Sequence, residues 1–119
     1  MAAKDELGRA GEQLAVQRLQ DLGLVVLDRN WRCREGELDI VATDGRGTAV
    51  FCEVKTRSGT GYGDPFEAIT LSKRRRLRRL AHLWLAEHRR GWVRLRFDVV
   101  GVLWRPDRAP EVTHLAEAF

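Results

Sequence analysis

Residues 36–57 read GELDIVATDGRGTAVFCEVKTR, two alternating runs joined by a turn signal. Over residues 36–43, Leu38, Ile40 and Ala42 fall on one side and Glu37, Asp39 and Val41 on the other. Over residues 48–57, Val50, Cys52 and Val54 share one side and Phe51, Glu53 and Lys55 the other. The DGRG between them suits the link of a hairpin. Directly opposed residues in an antiparallel pair point to one side of the sheet. Asp39 and Glu53 therefore share a side only if paired positions sum to an even number. That register also unites Leu38, Ile40 and Ala42 with Val50, Cys52 and Val54, whereas an odd sum mixes charged and apolar faces. The apolar pattern thus selects the pairing that gathers the two acids, provided no bulge intervenes.

Outward from this hairpin, residues 4–22 read as a helix, with Leu7, Gly11, Leu14, Ala15, Arg18 and Leu22 at helical spacing and Gly23 as a stop. LVVLDRNW, residues 24–31, is β-rich. Residues 58–64 are glycine-rich and read as a mobile loop, and Pro65 leads towards a second helix. Thr70 or Ser72 is its expected cap, Leu77, Leu80, Ala81, Trp84 and Leu85 its apolar stripe, and Gly91 its terminator after residue 90. Residues 93–104 alternate again, and residues 112–115 are a short strand candidate. The order α-β-β-β-α-β-(β) implies an α/β fold, a mixed β-sheet with helices packed on it, as one domain over residues 1–119.

The 119 residues carry 21 Lys or Arg against 17 Asp or Glu, a net charge of +4. All but three of the basic residues are arginine, whose planar fork grips phosphate through two hydrogen bonds. Lys73, Arg74, Arg75, Arg76, Arg78 and Arg79 crowd one stretch. Lys73, Arg74 and Arg78 form one possible outer ridge of the second helix, a phosphate-contacting or simply solvated face, with Arg32, Arg34 and Arg57 as secondary candidates. Two cysteines cannot build a disulfide framework or a four-ligand zinc site; Cys33 reads as a loop thiol and Cys52 as a core thiol. No apolar run is long enough to cross a bilayer, so a cytoplasmic protein with no membrane partner is expected. Trp84 belongs to the helical stripe. Trp31 and Trp104 stand at strand ends, and the four tryptophans form no stacking ladder.

The chemical signal is GELDIV followed by FCEVK. Two carboxylates on a half-buried sheet face repel each other and resist desolvation. A hard divalent cation, Mg²⁺ or Mn²⁺, relieves both costs. Lys55, two residues beyond Glu53, points into the same space, where it can orient a water or stabilise charge developing on a phosphoryl group. The bland alternative is a surface ion pair between Glu53 and Lys55. Glu12, on the flank of the first helix beside Gly8, Val16 and Leu19, reads by itself as an ion-pairing residue or a site residue. Glu37 is either a supporting acid or a solvated strand end. Asp98, in RFDVV, reads as a structural ion-pairing or hydrogen-bonding residue, and Glu67 as a loop-ordering residue or a neighbour of the site.

The motifs GRAGEQLA, LDRNWRCREGELDIVATDG, VFCEVKTR, GDPFEAIT with Lys73 and Arg76–Leu77, and RFDVVGV span nearly the whole chain. They resemble the bacterial YraN-like family and, through fewer residues, the PD-(D/E)XK nuclease superfamily that includes archaeal Holliday-junction resolvases. The resemblance implies a restriction-endonuclease-like fold. By position, Glu12 matches the acidic residue of the first helix, Asp39 the core aspartate, Glu53 the second metal ligand and Lys55 the lysine of the motif. It further implies the Val54 backbone carbonyl as a metal ligand. Leu38 stands where the proline that names the motif would be. The function so implied is metal-dependent hydrolysis of phosphodiester bonds in structured or branched DNA. Glu12, Asp39, Glu53 and Lys55 would be catalytic, Arg57, Lys73, Arg74 and Arg78 would contact nucleic acid, and a homodimer could serve symmetric cutting. The alternatives are a nucleic-acid-binding module that keeps the fold without cutting, and an adaptor whose basic helix docks on an acidic protein.

Overall fold

A computed structural model describes residues 3–58, 69–89, 91–92, 94–105 and 107–119. The elements are α1 (Ala3–Asp21), β1 (Val25–Cys33), β2 (Gly36–Thr43), β3 (Thr48–Ser58), α2 (Leu71–Glu87), β4 (Arg94–Trp104) and β5 (Glu111–Leu115). Cys33 thus ends a strand rather than occupying a loop. The glycine-rich stretch expected after Ser58, and Glu67, lie outside the described residues. Among those described, no helix is long and apolar enough to cross a membrane.

The strands form one sheet in the order β1-β2-β3-β4-β5. Every pair is antiparallel except β3–β4, the expected mixed α/β sheet. A parallel neighbour needs a crossover, and α2 lies in the connection from β3 to β4. Alternation along β3 then sorts the core into two layers. Ala49 and Phe51 pack with Leu77, Leu80, Ala81 and Trp84 of α2. Val50 and Cys52 pack with Ala15, Val16 and Leu19 of α1.

Local chemistry sets the ends of both helices. Gly23, at φ +86°, sends its N–H to Gln20 O (2.9 Å), and Leu24 N–H reaches Leu19 O (3.0 Å). This is a Schellman close, with Leu19 and Leu24 both buried behind it. Thr70, rather than Ser72, caps α2, its hydroxyl accepting from Lys73 N–H at 3.2 Å. The helix ends at Glu87, short of the expected residue 90. His88 leaves helical geometry and turns its ring back, stacking on Trp84 at 4.0 Å with Nδ1 2.8 Å from Trp84 O.

One glycine fixes how closely α1 lies on the sheet. A Cβ on Gly11 would meet Thr56 Oγ1 at 2.0 Å and Cγ2 at 2.8 Å. A β-branched side chain has little freedom to yield. Gly11→Ala is therefore expected to cost about 1–3 kcal/mol in thermal or urea melts, by overpacking that exceeds the helix-propensity gain. Adding Thr56→Ala, which removes both offending atoms, is expected to recover most of that loss. Equal stability of Gly11→Ala and the parent would show that the close approach is not set here.

The β2–β3 register keeps the even sum, Ile40 opposite Cys52 and Ala42 opposite Val50. Leu38, however, does not share a side with Ile40 and Ala42. It packs with Val41 in the α2 layer. Besides a bulge on β1 between Val26 and Asp28, alternation breaks at Asp39 and the residue facing it. Arg29 pairs with Ile40 and Trp31 with Leu38, but Asn30 between them sits at φ +53°. This left-handed residue turns alternation over on β1, and β2 follows.

Candidate functional site

The β2–β3 ladder runs from Thr43↔Ala49 to Ile40↔Cys52. Beyond it β3 continues to Ser58 along β4. Where the two strands part, Asp39 replaces the ladder bond, its Oδ2 accepting the Val54 N–H at 2.8 Å. In an extended strand a residue's N–H and C=O point to the same side, so the Val54 carbonyl also faces this notch.

Two cavities meet at the notch and share Glu37 and Asp39. The larger, about 800 Å³, lies between the first turns of α1 and the end of β3 and is walled by Glu12, Asp39, Val54 and Lys55. Arg9, Arg32 and Arg57 stand around it. The smaller, about 280 Å³, lies under α2 and brings Glu53, Lys73 and Arg76 to Asp39. Glu12, Asp39, Glu53 and Lys55 are thus gathered at one fork in the sheet, with Asp39 common to both openings.

Each acid is held differently. Lys55 Nζ lies 3.4 Å from Glu53 Oε1, both side chains mostly buried. Glu12 is fixed through Oε1, which takes Asn30 Nδ2 at 2.9 Å and Arg29 Nε at 3.3 Å. The left-handed turn at Asn30 lets both β1 residues reach α1. Glu37 turns to Arg32 (2.9 Å) at the exposed strand end. Asp39 bears the electrostatic load. Burial first, then the Glu53 charge, with smaller contributions from Glu12 and Glu37, push its carboxyl from 3.8 up to about 7, against the Val54 hydrogen bond.

This donor set suits a hard cation. It consists of oxygen atoms, and burial makes Asp39 resist ionising beside a second carboxylate. Among the described residues no three His, Cys, Asp or Glu side chains converge as a metal cage. Mg²⁺ needs none, since it keeps several waters and binds through one or two carboxylates. Asp39 and Glu53, with the Val54 carbonyl, are the residues that fit it.

The basic run of α2 does not form one outer ridge. Arg74 donates to Ile69 O at 3.2 Å and lies over the Phe119 ring, while Arg78 lies over Phe97 (4.7 Å) and Phe119. Arg79 pairs with Glu35. Lys73, placed on that ridge by sequence reasoning, instead lines the smaller cavity with Glu53 and Asp39. Helical spacing carried the signal. Lys73 precedes the buried Leu77 by four residues and so continues the inward stripe by one turn. Arg76 in the smaller cavity, and Arg29 and Asn30 as partners of Glu12, were likewise not foreseen.

Asp98 stands apart from this cluster, as its structural reading expected. It is fully buried, gripped by Arg96 through Nε (2.9 Å) and Nη2 (2.8 Å), with His114 Nε2 at 2.8 Å and Glu117 N–H at 3.1 Å.

The chain is 53% identical over 116 residues to a UPF0102 protein of Nocardia farcinica, covering 98% of this chain and 91% of that one. It is 54% identical over 120 residues to a UPF0102 protein of Frankia casuarinae, covering both chains completely. A UPF0102 protein of Mycobacterium avium is 58% identical over 111 residues, 92% of this chain and 87% of that one. Among solved structures it is similar to Hjc, a Holliday junction resolvase of Archaeoglobus fulgidus. That match has a TM-score of 0.47 and 19% identity, over 88% of this chain and 74% of that one. The profile described as "Uncharacterised protein family UPF0102" matches residues 11–102, and with these relatives it establishes that the chain belongs to that family, the YraN-like group its motifs resemble.

Proposed function

We propose that the protein is a metal-dependent nuclease hydrolysing phosphodiester bonds in DNA, with structured or branched DNA as the substrate class that the sequence resemblance implies. The observation that carries this reading is the convergence of Asp39, Glu53 and Lys55 at an arginine-rimmed notch. A bound Mg²⁺ or Mn²⁺ would polarise a phosphoryl oxygen and make a coordinated water more acidic. Asp39, Glu53 and the Val54 carbonyl would hold it. In the reaction a water oxygen forms a bond to phosphorus, the bond to the leaving oxygen breaks, the water loses a proton and the leaving oxygen gains one. Lys55 faces the negative charge that grows on the phosphoryl group. Glu12, pinned by Arg29 and Asn30, borders the larger cavity and supports a water there. Cutting a branched substrate symmetrically takes two active sites, so a homodimer belongs to this reading.

The test is cleavage of duplex, flap, fork and four-way-junction DNA with Mg²⁺ or Mn²⁺, comparing the parent with Lys55→Ala. The variant is expected to lose about 10²–10³-fold in rate, the usual cost of one well-placed electrostatic group. Metal binding by calorimetry and thermal melting are expected to stay near the parent's. Loss of metal binding together with cleavage would make Lys55 a structural partner of Glu53. A parent that cuts none of the four would favour the second reading, a binding module that retains the fold. In that alternative Glu12 is an ion-pairing residue, its Oε1 held by Arg29 and Asn30.

A further inference from the structure

We infer that Lys73 and Arg76 of α2, with Lys55, form a phosphoryl-binding subsite on the α2 side of Asp39, facing the carboxylates across the smaller cavity. The source of that phosphoryl group, a nucleic-acid backbone, rests on the nuclease reading; the subsite itself rests on charge and geometry. Lys73 lines the smaller cavity beside Glu53, and Lys55 Nζ comes within 3.4 Å of that same Glu53. Ammonium groups offer donors and no acceptor, so two charged lysines cannot satisfy one another. Arg76 lines the same cavity. The acids lining it are Glu37, which pairs with Arg32, and Glu53 and Asp39, and a divalent cation would claim the last two. What three converging cations then lack is an acceptor with several oxygens, which a phosphoryl group supplies.

The placement is built in rather than incidental. The Thr70 cap fixes the first turn of α2 through Lys73's own N–H, and buried Leu77 sets the helix rotation. Other cations of the run are held elsewhere: Arg74 by Ile69 O and the Phe119 ring, Arg78 by aromatic rings, Arg79 by Glu35. Among the described residues, no carboxylate forms an ion pair with Lys73 or Arg76 at the distances that join Lys55 to Glu53.

The test uses the full chain with Ca²⁺, a hard cation that takes oxygen ligands, so that the carboxylates are claimed, and it reads binding rather than cleavage. Duplex DNA binding is followed by fluorescence anisotropy across a NaCl series for the parent, Lys73→Gln, Arg76→Gln, Lys73→Arg and the outward-facing control Arg75→Gln. Each inward Gln variant is expected to flatten the log–log salt slope by about 0.9, one phosphate contact. Lys73→Arg is expected to restore it, and Arg75→Gln to leave it unchanged. In parallel, inorganic phosphate is titrated in thermal melts. Protection of the parent that is lost in Lys73→Gln would show that a free phosphate also fits, whereas a DNA effect alone assigns the site to the backbone diester. An unchanged slope in a folded Lys73→Gln overturns the subsite, as does a parent that binds neither probe. Failure of the nuclease reading looks different: a slope that depends on Lys73 in a protein that cuts nothing.

Discussion

Asp39→Asn is expected to reduce cleavage by at least ~10³-fold and, without divalent cations, to make the protein more stable at neutral pH. The amide is isosteric, and its oxygen can still accept the Val54 N–H that Asp39 holds at 2.8 Å. What disappears is a charge, and with it a metal ligand. Lewis-acid stabilisation is worth several kcal/mol, and each ~1.4 kcal/mol is a factor of ten in rate. The stability gain follows from linkage. Burial and the Glu53 charge raise the folded carboxyl from 3.8 to about 7, so between these values the folded chain keeps a proton that the unfolded chain has lost. Stability must therefore fall as pH rises through that window, by a total on the order of a few kcal/mol. In EDTA the parent is expected to melt progressively lower from pH 4 to pH 8, and Asp39→Asn to lack that part of the decline. Mg²⁺, which favours the ionised form, is expected to raise the parent's melting temperature at pH 8 and not the variant's. A variant that melts below the parent at pH 8 without metal, or equal protection of both by Mg²⁺, would contradict this account of Asp39.

The hairpin was legible because both of its signals are local. Alternation assigned the two strands, and the parity of apolar residues assigned their register, which the Ile40–Cys52 pair keeps. Leu38 shows where that logic stops. Parity holds only while both strands alternate, and the left-handed Asn30 breaks alternation without a glycine or a proline to announce it. The break is also what makes the site. It lets Arg29 and Asn30 both turn to Glu12, and it coincides with the point where β2 leaves β3 and Asp39 takes the Val54 amide.

The second helix divides in the same way. Its buried stripe followed from period, and that period extended one turn back would have put Lys73 on the inward side, beside the lysine of the E-x-K strand. Grouping Lys73 with Arg74 and Arg78 on one outer ridge hid this. The covering of Arg74 and Arg78 by Phe119 had no local sign at all, because it depends on the tail after β5 returning to Phe97. Ala118 N–H bonds Phe97 O at 2.7 Å, and the two phenylalanine rings stack at 5.1 Å. Contacts of that separation are set by topology rather than by any pattern within either segment.

Asp98→Ala is expected to be the most destabilising of these substitutions, at about 3–5 kcal/mol. The carboxylate is completely buried and occupied on both oxygens. Oδ1 takes Arg96 Nε and Glu117 N–H, and Oδ2 takes Arg96 Nη2 and His114 Nε2. It thereby ties β4 to β5 and to the residues that carry Phe119 back over the sheet. Truncation strands a half-buried guanidinium and a buried imidazole without their acceptor, which costs more than the intact cluster contributes. A domain with ~5–15 kcal/mol of total stability would lose a large part of it. The cluster also sets an acid limit. Although burial works the other way, the bonds from His114 and Arg96 hold Asp98 below the ordinary 3.8. Its contribution is full above that value and is lost as pH falls below it, opposite in sign to Asp39 and outside the latter's window. Urea melts at pH 7 measure the cost, and melts below pH 4 measure its disappearance. If stranded charge is the cause, Arg96→Met/Asp98→Ala will be more stable than Asp98→Ala alone. A double variant no more stable than the single one would assign the loss to the cavity left by the carboxylate. A single variant within about 1 kcal/mol of the parent, less than one buried hydrogen-bonded charge ordinarily contributes, would remove the cluster from any structural role.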